Sequence, residues 1–503
     1  MLPLSSSQEI VWLHEQVQPG SRAYNFTAAL DLWGTLDTEA LRHGLAAALD
    51  RHPGLRLELV AVPRAVPGQR VAEGCAPRLH TVDLSGATDP DGAFEELLRT
   101  EAETPLDTYE APLLRWTLVR LGPDRHRLIH VEHHLIHDGH SFAILLRDVF
   151  TVYRGHVLGA PVELPAASSY ADHVRAADAP AAEEERRAGL AFWADELREM
   201  SYDMPLPGLA RPGSRRRHHG GQLRQSIGAD LAVRLREHAA DRGLTPFATL
   251  LGLFAELLRR HSGRERMVIG TAVGNRPRGF EDAVGMFVNT IPLALRLDPT
   301  APAEESMDEV TDTLIRALPH QEVPVQELTR ALGMHTSGAD NPLFSVMFSA
   351  HDAELPEIEV PGLDITLFEG FNTGTTRFDL DVVLLPDDRR GVGPRHGAAG
   401  MTLVWDYDAD MFGEDVATLL AERFLDLLRA YLDAPDRALA DLALPPVPAV
   451  AAPEPRTQDR DPLDPAAAHD PALPALLVGA RRITYGDLDA QVASLAERMR
   501  AAG

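Results

Sequence analysis

Residues His130 to Gly139 read H-V-E-H-H-L-I-H-D-G, and the periodicity on either side sets how the chain is built. Upstream, Leu113 to Leu121 and Arg127 to Ile136 are strand-like runs joined by the turn residues Gly122-Pro123-Asp124, a hairpin pattern. Downstream, S-F-A-I-L-L-R-D-V-F-T-V-Y has apolar residues at helical spacing. The doublet His133-His134 is therefore expected at the end of a strand that turns sharply into a helix at Asp138-Gly139. Imidazole exchanges protons near neutral pH. A histidine pair aimed by such a turn points to a transfer reaction.

Working outward, the opening S-S-S-Q-E-I-V-W-L-H-E-Q-V predicts a helix with serine caps, stopped by Pro19-Gly20. Asp37 is placed to cap a second helix that closes near Pro53-Gly54, and a third is expected around Ala93 to Glu103. Ala176 to Glu185 has the Ala-, Asp- and Glu-rich composition of a connector or solvated helix. Beyond it a helix is predicted over Pro246 to Arg260. Strands follow at Met267 to Ala272, Phe287 to Leu295, Leu343 to Ser349, Phe378 to Leu385 and Met401 to Trp405. A long amphipathic helix covers Glu414 to Leu432. Helices mixed with non-adjacent strands in both halves imply a two-lobed α/β (α+β) protein. The lobes are expected at 1–174 and 175–440. Residues 441–474, with P-P-V-P-A-V-A-A-P-E-P, read as a semi-rigid linker. Residues 475–503 begin new structure too short to be a domain of their own.

The composition excludes several classes of function. Lys and Arg total 48 against 75 Asp and Glu, a formal charge of -27, which repels phosphate backbones and argues against nucleic acid. Cys75 is the single cysteine, so neither an internal disulfide nor a thiolate metal cluster is available, in keeping with a reducing cytoplasm. No apolar run reaches the ~18 residues needed to span a bilayer, and the first residues lack a secretory pattern. The expectation is a cytoplasmic monomer with no membrane partner.

Three chemical readings of the histidine run compete. His130, His133, His134, His137 and His140 have spacings that would share a helix face and bind metal, but strand alternation separates neighbouring side chains, so no metal is expected. Gly139-His140-Ser141-Phe142-Ala143 resembles the nucleophile elbow G-x-S-x-G, which would make Ser141 a hydrolase or thioesterase nucleophile. Ala143 stands where that elbow needs its last glycine. In the third reading one histidine faces a substrate tunnel while the other supports it, Asp138 fixes the turn, and Gly139 leaves room for substrate.

H-H-L-I-H-D-G resembles the H-H-x-x-x-D-G signature of condensation domains from nonribosomal peptide synthetases, shared with acyltransferases of the chloramphenicol acetyltransferase type. Further stretches match in order: the opening L-S-S-S-Q-E-I-V-W-L-H-E-Q, then R-H-P-G-L-R (Arg51 to Arg56) and Tyr170-Ala171-Asp172. V-G-M-F-V-N-T (Val284 to Thr290), H-Q-E-V-P-V-Q-E-L (His320 to Leu328) and N-P-L-F-S-V-M-F (Asn341 to Phe348) complete the set. I-T-Y-G-D-L-D-A then looks like the start of an adenylation domain.

The resemblance implies two acetyltransferase-like lobes in a V-shaped pseudodimer around a central tunnel. Donor and acceptor carrier proteins dock at its mouths and insert phosphopantetheine arms; the domain itself holds no cofactor. His134 takes the catalytic position, with His133, Asp138 and Gly139 completing the signature. Asp138 is expected to be structural, paired with Arg276 or, as a second choice, Arg56. His137, His140, Ser141 and Asn289 are expected along the tunnel. Phe287, Val288, Phe344 and Phe348 are expected in the core, and His320 and Gln321 as loop braces.

Two positions depart from the family pattern: Pro53, where glutamate is usual, and His140, where tryptophan often follows the glycine. The first motif begins close to Met1. On that ground the donor is expected in trans, from an acyl carrier protein or as a CoA thioester, with the acceptor carrier downstream and the adenylation domain in cis. That is the arrangement of a starter domain, which N-acylates the first amino acid of a lipopeptide. An elongation domain taking a peptidyl donor is the alternative. An epimerisation domain shares the doublet but does not usually lead into an adenylation domain, and a silent docking module usually has a degraded signature.

Overall fold

A computed structural model describes residues 1–18, 21–176, 180–206, 219–334, 341–351, 353, 355, 357–369, 371–386, 391–392, 400–444, 474–478, 481–487 and 490. It contains two compact units, 1–452 and 453–503.

The first half of the larger unit supplies strands β1 (Asn25–Gly34), β2 (Leu57–Val60), β3 (Gly68–Val71), β4 (Leu79–Asp83), β5 (Leu114–Arg120) and β6 (Arg125–His133). Its helices are α1 (Ser6–Val17), α2 (Thr38–Arg51), α3 (Pro90–Glu103), α4 (Gly139–Val157) and α5 (Tyr170–Ala176). The second half adds β7 (Gly220–Ile227), β8 (Arg266–Val273), β9 (Asn289–Arg296), β10 (Val346–Ala350), β11 (Leu363–Glu369), β12 (Leu380–Pro386), β13 (Gly391–Val392) and β14 (Met401–Asp408). With these come α6 (Pro180–Glu196), α7 (Ala229–Asp241), α8 (Pro246–Ser262), α9 (Ala303–Ala317), α10 (Val325–Ala331) and α11 (Glu414–Asp433).

Local chemistry explains the helix ends. Ser5 and Gln8 form a reciprocal capping box that opens α1. Asp37 accepts the N–H groups of Glu39 and Ala40 to open α2. Thr245 caps α8, and Gly263 at φ 71° closes it in the left-handed conformation that glycine adopts at least cost.

Two six-stranded sheets result, in the orders β13-β11-β1-β6-β5-β4 and β7-β14-β12-β10-β8-β9. Each has its own apolar core. In the second, Leu250, Leu251, Leu253, Phe254, Leu257 and Leu258 of α8 are fully buried. The one charge on that face, Glu256, is met by Arg259 at 2.6 Å and Arg260 at 2.5 Å. The α/β class and two-lobed plan are as expected.

Three details differ from the sequence-based expectation. First, β6 stops at His133, not Ile136. The His133 Nδ1 accepts the N–H of Leu135 at 3.3 Å, which curls His134–Ile136 into a single 3-10 turn. Second, β1 and β11 carried no prediction. β1 is buried along most of its length, so it lacks the alternation that marks a half-buried strand. Third, a boundary at 174/175 divides the chain but not the lobes. β11 pairs antiparallel with β1, from Ala28↔Glu369 to Gly34↔Leu363, and Ala283, Val284, Met286 and Phe287 lie in the first lobe's core.

Of the expected linker, residues 445–473 lie outside the described residues. In the smaller unit, β15 (Pro474–Val478) and β16 (Arg481–Thr484) form an antiparallel hairpin. Thr484 and Asp487 then exchange side-chain-to-backbone bonds, as at a helix start. Most of the remainder of 475–503 lies outside the described residues. Among the described residues, no helix is long and apolar enough to cross a membrane.

Candidate active site

The turn after β6 is built by Asp138. Its carboxylate caps α4 by accepting the Ser141 N–H at 2.7 Å. It also accepts the Phe287 N–H at 2.9 Å and Arg276 Nη2 at 2.9 and 3.2 Å. Asp138 is 4% exposed, so each of these bonds replaces lost water. Arg276 reaches in from the second half and also donates through Nη1 to the carbonyls of Phe280 at 3.0 Å and Ala283 at 2.6 Å. Its guanidinium lies 4.0 Å from the Phe287 ring centroid. Burial lowers the Arg276 pKa, against the opposing pull of Asp138. Arg56, the second-choice partner, is corrected: it donates to the carbonyls of Leu49, Ala72 and Asp50.

The two doublet imidazoles have different surroundings. The His133 Nδ1 accepts from Leu135, so Nε2 carries the hydrogen and donates to Glu15 Oε1 on α1 at 2.7 Å. His133 is thereby fixed from behind by the first helix. The His134 backbone N–H donates to the Tyr24 carbonyl at 2.8 Å. Its ring lies edge-to-face against Tyr24 at 6.0 Å and His137 at 5.9 Å between centroids. The His134 Nδ1 is buried with no hydrogen-bond partner among the described residues. The residue still keeps accessible surface, although protein crowds the ring on most sides. That crowding, reinforced by the neighbouring His137 and by the guanidinium of Arg377, pushes the His134 pKa down to about 3. His134 is therefore a neutral imidazole at working pH.

The residues expected along a tunnel have different surroundings. His140 is exposed, with Nε2 3.2 Å from the Glu281 carbonyl. Ser141 is 1% exposed; its Oγ donates to the Gly285 carbonyl at 2.9 Å and accepts from Gly285 N and Arg276 Nη2, each at 3.1 Å. Asn289 Nδ2 donates to the carbonyls of Gln321 at 2.7 Å and Val323 at 2.9 Å. Ser141 and Asn289 are corrected to structural braces, because their polar atoms are spent on protein. A serine so engaged offers no free hydroxyl for nucleophilic attack. His137 is buried, stacked on Phe26 at 4.5 Å, with Nδ1 turned to Glu132. Around Gly139 the opposite holds: a Cβ built there meets nothing within 4 Å.

The outlying motifs converge on the same strap, residues 276–287. A Cβ on Gly54 would lie 2.0 Å from the Val284 carbonyl oxygen, and one on Gly285 would lie 2.2 Å from Tyr170 Cδ2. The Tyr170 hydroxyl donates to the Met286 carbonyl at 2.9 Å. Phe287, Phe344 and Phe348 are core, and Val288 packs against it. The His320 carbonyl accepts from Trp193 Nε1 at 3.0 Å, and Gln321 accepts from Asn275 N at 3.3 Å.

A cavity of about 510 Å³ opens between α1 and second-half residues, with Tyr24, Thr290, Asn341, Arg377 and Phe378 in its lining. Tyr24 thus touches both the cavity and His134. Among the described residues, no three His, Cys, Asp or Glu side chains are placed to hold a metal ion.

A family model for the condensation domain matches residues 1–448. The chain belongs to the condensation-domain family of nonribosomal peptide synthetases. It is 31% identical to phosphinothricin tripeptide synthetase PhsC of Streptomyces viridochromogenes over 100% of the chain and 47% of that relative. To tyrocidine synthase 3 of Brevibacillus parabrevis it is 28% identical over 88% of the chain and 6% of the relative. The chain therefore spans half or less of these curated relatives. In structure it resembles the starter condensation domain of rhizomide synthetase RzmA in complex with C8-CoA, with a TM-score of 0.77, 19% identity, and 88% and 96% of the two chains covered. The first condensation domain of the CDA synthetase gives a TM-score of 0.76 at 22% identity, covering 88% and 99%. These likenesses establish the chloramphenicol-acetyltransferase-like fold.

Four residues of this site carried no expectation: Glu15, Tyr24, Glu132 and Arg377. Glu132 alone had a signal, since in a strand it shares a face with His130.

Proposed function

We propose that this domain forms an amide by directing the α-amine of an aminoacyl carrier-protein thioester onto an acyl thioester donor. The observation that carries this reading is the neutral, partly exposed His134 held on a turn braced by Asp138 and Arg276. With Nδ1 buried, Nε2 is the nitrogen left for a reactant. It accepts a hydrogen bond from the incoming amine and orients its lone pair toward the thioester carbonyl. Holding two tethered reactants in line removes most of the entropic barrier. The open space at Gly139 gives the phosphopantetheine arms passage past His134.

The finer reading is a starter domain with an acyl donor supplied in trans, acting in the cytoplasm as a monomer. It is supported by the departures at Pro53 and His140 and by the likeness to a starter domain solved with C8-CoA. An elongation reading is favoured by the 31% identity to a tripeptide synthetase. In both, residues 475–503 open an adenylation domain in cis.

The test is mass spectrometry of an aminoacyl acceptor carrier mixed with acyl-loaded or peptidyl-loaded donor carriers. Amide product is expected from the wild type, with loss of ~10²-fold or more in rate for His134→Ala. Ser141→Ala keeps activity at a temperature where it is folded. An inactive, folded Ser141→Ala beside an active His134→Ala restores the hydrolase reading, and product from peptidyl donors alone removes the starter reading.

A further inference from the structure

Beneath the doublet lies a buried charge that the condensation chemistry above leaves unused. Glu132, on β6, is 1% exposed. Its Oε1 lies 3.0 Å from His130 Nε2, and His137 Nδ1 approaches the same oxygen. Burial pushes the Glu132 carboxyl up, but the two imidazoles outweigh it and hold the pKa below the usual carboxylate range. A carboxylate inside an apolar core is costly unless paired, and here both partners are histidines. With Nδ1 turned to Glu132, the His137 ring presents its other nitrogen, Nε2, away from the carboxylate. The ring is clamped by Phe26, stacked at 4.5 Å, and sits edge-to-face against His134 at 5.9 Å between centroids.

This is the arrangement of a carboxylate–imidazole dyad, in which the carboxylate fixes the tautomer and stabilises the imidazolium. It answers a difficulty at His134. An imidazole whose pKa lies at about 3 passes a proton on but does not hold it.

We propose that His137, backed by the buried carboxylate of Glu132, is the terminal proton carrier of the condensation step, receiving through His134 the proton that the attacking amine must lose. The proposal rests on the amide-forming reading and names residues that act behind its reactive imidazole. The amine lone pair forms the C–N bond, and the carbonyl π pair moves to oxygen. The tetrahedral adduct collapses with cleavage of the C–S bond. The ammonium proton passes from nitrogen to His134 Nε2 and on to His137 Nε2, directly or through one water. It then returns to the departing thiolate, giving amide and free thiol with no net proton change. His137 and Glu132 are positioning residues, since they act through His134. The groups facing His137 are Glu132 and His130 from β6 and His134 from its own turn; β1 and α4 contribute the apolar rings of Phe26 and Phe142.

The test is single-turnover amide formation between pH 5.5 and 8.5 for the wild type, Glu132→Gln, Glu132→Asp and His137→Gln, with thermal melts of each. His137→Gln is expected to slow turnover by ~10²-fold. Glu132→Gln moves the acid limb of the rate profile to lower pH by about one unit, because the base loses its counter-charge, and Glu132→Asp restores the limb. Should Glu132→Gln fail to fold, His137→Gln carries the test alone, since its amide still donates to Glu132. Full wild-type rate in folded His137→Gln, or an unmoved limb in folded Glu132→Gln, overturns the relay. No amide from the wild type with any donor overturns the amide-forming reading itself.

Discussion

Breaking the Asp138–Arg276 pair from one side and from both sides separates a structural lock from a catalytic group. The pair is largely dry, with side-chain exposures of 5% and 10%. Asp138 accepts four hydrogen bonds, two of them from Arg276 and two from the N–H groups of Ser141 and Phe287. Arg276→Leu leaves the carboxylate with half of its donors and no counter-charge, at a cost of about 3–5 kcal/mol. It also frees the carbonyls of Phe280 and Ala283. Asp138→Asn strands the guanidinium instead, and turns one amide edge against a backbone donor. Its cost falls in a similar range.

The double variant Asp138→Asn, Arg276→Leu buries neither charge. Its loss should fall short of the sum of the single losses by about 2–3 kcal/mol, the scale of coupling between groups in direct contact. The assay is urea unfolding by intrinsic fluorescence, with the free energy taken from midpoint and slope of the main transition. If the single losses add to within about 0.5 kcal/mol, the two side chains act independently, and the picture of a charge lock between the halves is wrong.

Two further outcomes are expected. Because a Cβ on Gly139 meets nothing within 4 Å, Gly139→Ala should be as stable as the wild type or gain up to about 1 kcal/mol from helix propensity. Its turnover should nonetheless fall ~10-fold or more if substrate passes there, and a variant as active as the wild type removes Gly139 from the channel. Asp406 faces Asp381 across β12 and β14. Burial first and that neighbour second push its pKa up to about 6, against bonds from Asn372 and Gln222. The folded state then binds the proton more tightly than the unfolded chain, so stability is lost as pH rises from about 4 to about 6. Asp406→Asn should stabilise the fold at pH 8 by an amount on the order of 2 kcal/mol, read as a higher melting temperature, and leave the melting temperature unchanged at pH 4. Equal shifts at both pH values would contradict the assignment.

The strand–turn–helix around the histidines was legible because the apolar period changes from 2 to 3.6 across an Asp-Gly pair, a local signal. The Asp138–Arg276 contact spans 138 residues and came from resemblance alone. The Glu15 partner of His133 is 118 residues away, and nothing in the pattern of α1 distinguishes it from Glu9, the other acid of that helix. Ser141 misled for a physical reason: a serine three residues into a helix after Asp-Gly looks the same whether its hydroxyl is free or spent on a distant backbone. β11 was out of reach because a short alternating run shows which faces a strand has, not which neighbour it pairs with.

The outlying motifs gain their meaning from one strap. Gly54 and Gly285 are excluded from carrying side chains by backbone and ring atoms 2.0 and 2.2 Å from where a Cβ would stand. Residues 276–287 are therefore seated on the first lobe in a single register before any charge is considered. Asp138 and Ser141 then bond that strap from the first turn of α4, and Tyr170 does so from α5. His134 lies four residues ahead of Asp138 on the same turn, so whatever seats the strap also aims the imidazole. Most of the motif chemistry outside the doublet is thus spent on where His134 stands, and the reaction itself falls to the few groups around its ring.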